Sequence, residues 1–348
     1  MVNLDYLAKL SNAFGPPGFE DEVRDLLKME FEKFADEVKV DRLGNLIGYL
    51  HGDSSLPKIM IAAHMDEVGF LITNVSDKGF LYFHPLGGVV AQIIPGQIIK
   101  IKGRSGFVYG VVGSTPPHIT PPERRDKVPP IEDMYIDVGA TSIDEVKARG
   151  LDIGCPAVFH TEFRDLGLGY IFGKAFDDRI GCLILVELLQ KLKNSRFNVV
   201  FVATVQEEVG LRGARTAAWI VEPDYAIAIE GTFAADTPDV KSHQIPAFLK
   251  RGPVLTIADA GMIAHPKVLK VLMETADRNN IPYQFKRVPS GSTDAAAIHL
   301  TRGGVPSGVI AVPCRYIHGS SAIAHVDDIK ASINLALKCI EGLSVLER

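Results

Sequence analysis

Residues Val199 to Val205 form an unbroken run of β-branched and apolar side chains, and Glu207 and Glu208 follow almost at once. Such a run predicts a strand buried on both faces, as in a parallel sheet. Two carboxylates at its carboxyl end then stand close to the interior, where charge is costly without a partner. A metal cation is the partner that best accounts for both acids together.

The rest of the chain divides into three blocks. Residues 1–68 begin with two helical patterns, one on Leu4, Leu7, Ala8 and Leu10, the other on Val23, Leu26, Leu27 and Phe31. Gly15 to Gly18 separates them. Strands are expected at 38–40, 46–50 and 59–63. Residues 69–161 are rich in glycine and in short β runs, at 70–73, 80–83, 98–101 and 107–112, which predicts a small barrel or sandwich. Pro116 to Pro130 carries too many prolines for a helix or central strand and reads as a long loop. Residues 162–348 return to alternating helix and strand, with helices over 178–192, 265–278 and 326–343. The strands there fall at 199–205, 225–229 and 308–312. Alternating βα units imply a sheet covered on both faces. The expectation is one α/β domain, 1–68 and 162–348, with a mixed sheet between helices and a β domain inserted at 69–161.

Bulk properties narrow the function. The chain has 348 residues and a net charge of −5, which gives no electrostatic footing for nucleic acid. No apolar run reaches the ~18–20 residues of a membrane span. The charged start, Met1 to Lys9, lacks the apolar core of a signal peptide. Cys155, Cys182, Cys314 and Cys339 are scattered, without metal-type spacing, which suggests buried thiols in a reducing, cytoplasmic setting.

Chemistry-bearing residues recur where strands end or helices begin. His64 and Asp66 follow the strand 59–63 and, two residues apart in extended chain, face the same side. They read either as a ligand with its orienting carboxylate or as a capped turn. Asp177 and Asp178 open a helix, where Asp is also a favoured N-cap. Glu230 follows the strand 225–229, and His318 lies just past the strand 308–312. In open α/β sheets ligands bind beyond the carboxyl ends of strands. Two imidazoles with several carboxylates suit a pair of divalent ions such as zinc, cobalt or manganese. The absence of cysteine ligands argues against a structural zinc site.

These residues carry a resemblance. His64-Met65-Asp66-Glu67-Val68-Gly69, Phe176-Asp177-Asp178-Arg179, Gln206-Glu207-Glu208-Val209-Gly210, Ser292-Thr293-Asp294-Ala295 and Arg315-Tyr316-Ile317-His318 resemble, in order, the motifs of the tetrahedral aminopeptidases. That family includes the glutamyl and deblocking aminopeptidases. The resemblance implies two divalent ions per subunit, with Asp177 bridging them. His64 and Glu230 would complete one ligand shell, and Glu208 and His318 the other. Glu230 stands where many relatives have Asp, and its longer side chain bears on metal spacing. Asp66 would orient His64, and Glu207 would act as general base and acid. Glu208 would then stay ionised as a ligand while Glu207 cycles a proton. The substrates implied are peptides with a free N-terminus. The inserted domain would be a dimerisation domain, with dimers building a dodecameric tetrahedron.

Three other functions remain open on the sequence. A dinuclear deacylase of small N-acyl amino acids uses the same metal chemistry. A glycosidase needs only paired carboxylates ~5–9.5 Å apart. A non-enzymatic scaffold would explain the inserted domain but not the clustered acids.

Overall fold

A computed structural model describes residues 2–116, 118–122 and 127–347. Two helices open the chain, α1 (Leu4–Asn12) and α2 (Asp21–Phe34), followed by strands β1 (Glu37–Val40), β2 (Leu46–Leu50) and β3 (Lys58–His64). Next come β4 (Gly69–Val75), β5 (Phe80–Leu86), β6 (Ile98–Gly103), β7 (Gly106–Val112), β8 (Tyr135–Asp137), α3 (Ile143–Ala148) and β9 (Pro156–Phe159). A hairpin, β10 (Arg164–Gly167) and β11 (Tyr170–Gly173), leads into α4 (Phe176–Leu192), β12 (Asn198–Thr204), α5 (Arg212–Val221) and β13 (Tyr225–Phe233). The chain then forms β14 (Val254–Leu255), α6 (Pro266–Arg278), β15 (Gln284–Phe285) and α7 (Asp294–Ile298). It ends with β16 (Ser307–Cys314), β17 (Ala322–His325) and α8 (Val326–Ser344).

The main sheet has eight strands in the order β1-β2-β12-β3-β13-β16-β14-β15. Its four central strands, β12, β3, β13 and β16, run parallel, while β2 and β14 join antiparallel on either side. The apolar run that opened the sequence reading lies in β12. Val199, Phe201 and Ala203 pack into the core under α4, and Val200 and Val202 into a second core under α5. Both faces are buried, so the strand shows no polar alternation. Helix α4 is apolar around most of its circumference because the sheet, α1, α2 and α8 all pack on it.

Strands β4-β5-β8-β7-β6-β9 close into a separate antiparallel barrel with its own core, centred on Phe70, Phe83 and Phe159. The mixed α/β sheet and the inserted barrel agree with the fold read from the sequence. One boundary differs in a way that matters. β13 does not stop at residue 229; its pairing with β16 continues from Glu230–Ala311 to Phe233–Cys314, so Glu230 sits inside a strand. Within the proline-rich stretch 116–130, residues 117 and 123–126 lie outside the described residues, and the described remainder forms no α-helix or strand. No helix among the described residues is long and apolar enough to cross a membrane.

Candidate metal centre

Parallel strands bring their carboxyl ends to one edge of the sheet. His64 is the last residue of β3 and pairs with Thr204, the last of β12. Glu207 and Glu208 follow that end. Glu230 lies two residues beyond Ala228, which pairs with Ala62 of β3. His318 follows β16, and Asp177 lies in the first turn of α4. Residues distant in sequence therefore converge because their strands are neighbours. The backbone there is unusual: Ala175, Gln206 and His318 all take left-handed φ values of 55°, 55° and 61°. Non-glycine residues in that region concentrate at functional sites.

Each imidazole is held from behind. His64 Nδ1 lies 3.1 Å from the main-chain carbonyl of Asp66, and His318 Nδ1 lies 3.1 Å from that of Gly88, in the segment following β5 of the barrel. A carbonyl only accepts, so both Nδ1 atoms carry the proton and both Nε2 atoms face the cluster. His64 Nε2 is 3.3 Å from Asp177 Oδ1 and 3.7 Å from Glu230 Oε2. His318 Nε2 is 3.5 Å from Asp177 Oδ2 and 3.8 Å from Glu208 Oε1. Asp177 thus turns one oxygen to each histidine.

The donor atoms of His64, Asp177 and Glu230 lie within 4.8 Å of one another, as do those of Asp177, Glu208 and His318. A third grouping, His64 with Glu207 and Glu208, meets the same limit. Lone pairs on the two Nε2 atoms facing carboxylate oxygens repel unless a cation stands between them. In the metal-free chain a proton fills that role. Burial disfavours the His64 imidazolium, but Glu207, Asp177 and Asp66 overcome it and raise its pKa well above the usual value. Burial likewise opposes ionised Asp177, yet its hydrogen bonds to His318 and His64 hold its carboxyl far below the carboxylate range. Burial lifts Glu207 and Glu230 well above the usual range and Glu208 to about 7. Without metal, then, burial raises both members of the Glu207–Glu208 pair. A compact set of nitrogen and oxygen donors without thiolate, holding protons it would not hold in water, fits a pair of borderline or hard divalent ions.

The supporting contacts refine two sequence expectations. Asp66 lies beside His64, with Oδ1 3.6 Å from Nδ1, but its carboxylate hydrogen-bonds elsewhere. It accepts the main-chain N–H groups of Glu207 and Glu208, each at 3.0 Å. The acidic pair at 177–178 divides its work. Asp178 accepts the N–H of Gly181 at 3.0 Å, a cap-like contact where α4 turns regular after the non-helical Asp177 and Asp178, and that of His64 at 3.3 Å. Asp177 is left to face the histidines. Gly231 donates to Asp177 Oδ1 at 3.2 Å, and a Cβ on it would come within 2.8 Å of that oxygen.

Several buried residues were given no role in the sequence reading. Arg179 is fully buried and donates to the carbonyls of Met65 (2.8 Å), Leu10 (2.5 Å) and Ala13 (3.1 Å). With Lys174 it brackets Glu67, at 3.1 and 2.6 Å. These ions fix the turn that carries His64 and Asp66 against the N-terminal helix. Asp294, at the start of α7, donates its N–H to Glu230 Oε1 at 2.9 Å and accepts from Thr204 Oγ1. Each of these residues except Lys174 stands inside or beside a motif quoted above, yet no local pattern marks its partner.

A mixed parallel sheet with an inserted barrel, and a two-histidine, multi-carboxylate cluster on its carboxyl edge, define a class of metal-dependent peptide hydrolases. The chain belongs to the M42 glutamyl aminopeptidase family, which matches residues 44–335. It is 35% identical to the lysyl aminopeptidase of Pyrococcus furiosus, over 100% of this chain and 99% of the relative. The solved TET aminopeptidase of the marine sediment archaeon Thaumarchaeota archaeon SCGC AB-539-E09 superposes with a TM-score of 0.93 at 38% identity, covering 98% of each chain. The TET1 peptidase of Pyrococcus horikoshii, described as assembling into a tetrahedron or a large octahedral shell, gives 0.85 at 33% identity over 96% of this chain and 98% of that one.

Proposed function

We propose that this chain is a dinuclear-metal aminopeptidase that removes N-terminal residues from peptides, with Glu207 as general base and acid. The observation that carries the proposal is Asp177, which faces a different histidine through each oxygen. His64 and Glu230 would hold one ion and Glu208 and His318 the other, with Asp177 shared. When bound, such a pair polarises the scissile carbonyl and lowers the pKa of a nucleophilic water. Glu207 is the carboxylate left over once each ion has three side-chain ligands. Its Oε2, 3.9 Å from His64 Nε2, is placed to take a proton and return it to the leaving amine. Asp66 fixes the peptide groups on which Glu207 and Glu208 ride. The free α-amino group of the substrate would bind at the ions and the acidic side chains around them, which would confine cleavage to the N-terminal residue.

Zinc, cobalt and manganese all suit the donors. After chelation, aminoacyl chromogenic amides should cease to be cleaved, and one or more of these ions should restore cleavage. N-acylated analogues should remain uncleaved. Preference for the N-acylated compounds would instead support the deacylase function.

We further propose self-association through the barrel, with dimers building a tetrahedral dodecamer. Phe107, Tyr109 and Val111 alternate along β7 with their side chains exposed, an apolar row that single soluble chains rarely present. The Pyrococcus horikoshii relative supports the assembly. Light scattering that returned the mass of one chain would rule it out.

A further inference from the structure

The metal cluster opens on one side into a cavity of about 90 Å³, bounded by His64, Asp177, Glu207, Glu230 and His318 at one end. That is space for several water-sized groups, the scale of a short side chain. The walls beyond the cluster mix hydroxyl-bearing residues, Thr232, Thr256, Ser290, Ser292 and Thr293, with the apolar Phe233. One ammonium group also lines it, that of Lys286.

Lys286 is half-buried, directly after β15, and its Nζ donates to the carbonyl of Ser290 at 2.5 Å. No carboxylate among the described residues pairs with it within 4.0 Å. The acids acting on it from a distance are Asp259, Glu230 and Asp177. Asp259 is already engaged by the N–H groups of Gly261 and Met262, both at 2.8 Å. Glu230 and Asp177 belong to the metal cluster, where bound cations would offset their charge. A half-buried ammonium without a carboxylate partner is an unmet demand for an anion.

We propose that Lys286 makes this cavity the pocket for the N-terminal side chain and selects acidic residues there, its ammonium pairing with the side-chain carboxylate. The proposal rests on the aminopeptidase function above. The substrate main chain would lie at the cluster, its side chain would run along the threonine-lined wall, and its carboxylate would end at Lys286. The same charge repels lysine and arginine side chains. Family membership does not decide this point, since the family is described as glutamyl and one relative is a lysyl enzyme.

The test compares para-nitroanilides of Glu, Gln and Lys on the metal-loaded enzyme, as the ratio of their kcat/KM values. Glu should exceed Gln by about tenfold or more, because a charge-assisted bond replaces a neutral one. Lys286→Met should bring the ratio of Glu to Gln near one, Lys286→Arg should keep it above one, and Lys286→Glu should shift the preference to Lys. Cleavage with a Glu to Gln ratio near one in the unaltered enzyme, or a ratio indifferent to all three substitutions, would overturn the assignment and leave the aminopeptidase function standing. Cleavage of N-acylglutamate with none of any free-amine anilide would overturn both.

Discussion

The Asp66 carboxylate spans the gap between two strand ends and accepts the main-chain N–H of Glu207 at 3.0 Å, with its other oxygen on the N–H of Glu208. One side chain at the end of β3 therefore fixes the backbone of both glutamates that follow β12. Its main-chain carbonyl meanwhile orients His64. Candidate metal ligands, candidate base and their spacing share this single residue.

Asp66→Asn tests that arrangement. An amide keeps one acceptor oxygen but turns an NH2 toward a main-chain N–H. The lost bond at a buried site should cost about 1–3 kcal/mol of stability. Turnover should fall about 100-fold, because the displaced group is Glu207. Denaturant midpoints and kcat check the two effects separately.

Gly231→Ala probes Asp177. The added Cβ would stand 2.8 Å from Asp177 Oδ1 and press on the shared carboxylate. Metal affinity should weaken about 10–100-fold with the fold retained. Calorimetric titration of the chelated protein with zinc or cobalt, beside far-UV circular dichroism, reads both.

The pH dependence of the metal-free protein has a definite sign. Burial lifts Glu208 from 4.5 to about 7. Burial would lower His318, but the hydrogen bond to Asp177 and the charge of Glu208 prevail and lift it from 6.5 to about 9. Both raised values mean that the folded chain binds more protons than the unfolded one, so stability falls as pH rises. The Glu208 contribution is whole below pH 4.5 and lost through about pH 7. The His318 contribution is whole below pH 6.5 and lost through about pH 9. Thermal denaturation of the chelated protein should therefore give a Tm that declines from about pH 5 to pH 9. Metal should flatten the decline, and its binding at pH 7 should release protons.

Glu67→Gln tests the buried ions beneath the site. It leaves Lys174 and Arg179, 2% and 0% exposed, without their shared carboxylate. Breaking such a set costs about 3–5 kcal/mol. A denaturation midpoint close to that of the unaltered chain would show that the trio is not a stabilising contact.

The architecture was legible where burial leaves a periodic trace. β2 falls at the residues expected, and α2 and α8 follow their apolar spacing. Helix α5 went unread although Ala214, Ala217, Ala218 and Val221 keep helical spacing on its buried face, because that face is mostly alanine while the large Trp219 and Ile220 are exposed. The hairpin β10–β11 begins with four exposed residues that carry no alternation. β14 and β15 are too short for any period. The cluster residues stood out because acids and histidines interrupt apolar strands at their ends. Lys174, Arg179 and Lys286 did not, because their roles depend on partners or cavity walls that only the fold brings near. Asp66 was singled out for its place beside His64, but its bonds to residues 207 and 208 cross between strands and leave no mark in local sequence.

The central claim is that Glu207 moves the proton while the other carboxylates hold metal. Glu207→Gln measures it most directly, with metal content and turnover determined on the same preparation. The account predicts a folded protein that still binds two ions per chain and loses about 10²–10⁴-fold in kcat. Near-normal turnover in the metal-loaded variant, or loss of one ion with the substitution, would contradict it.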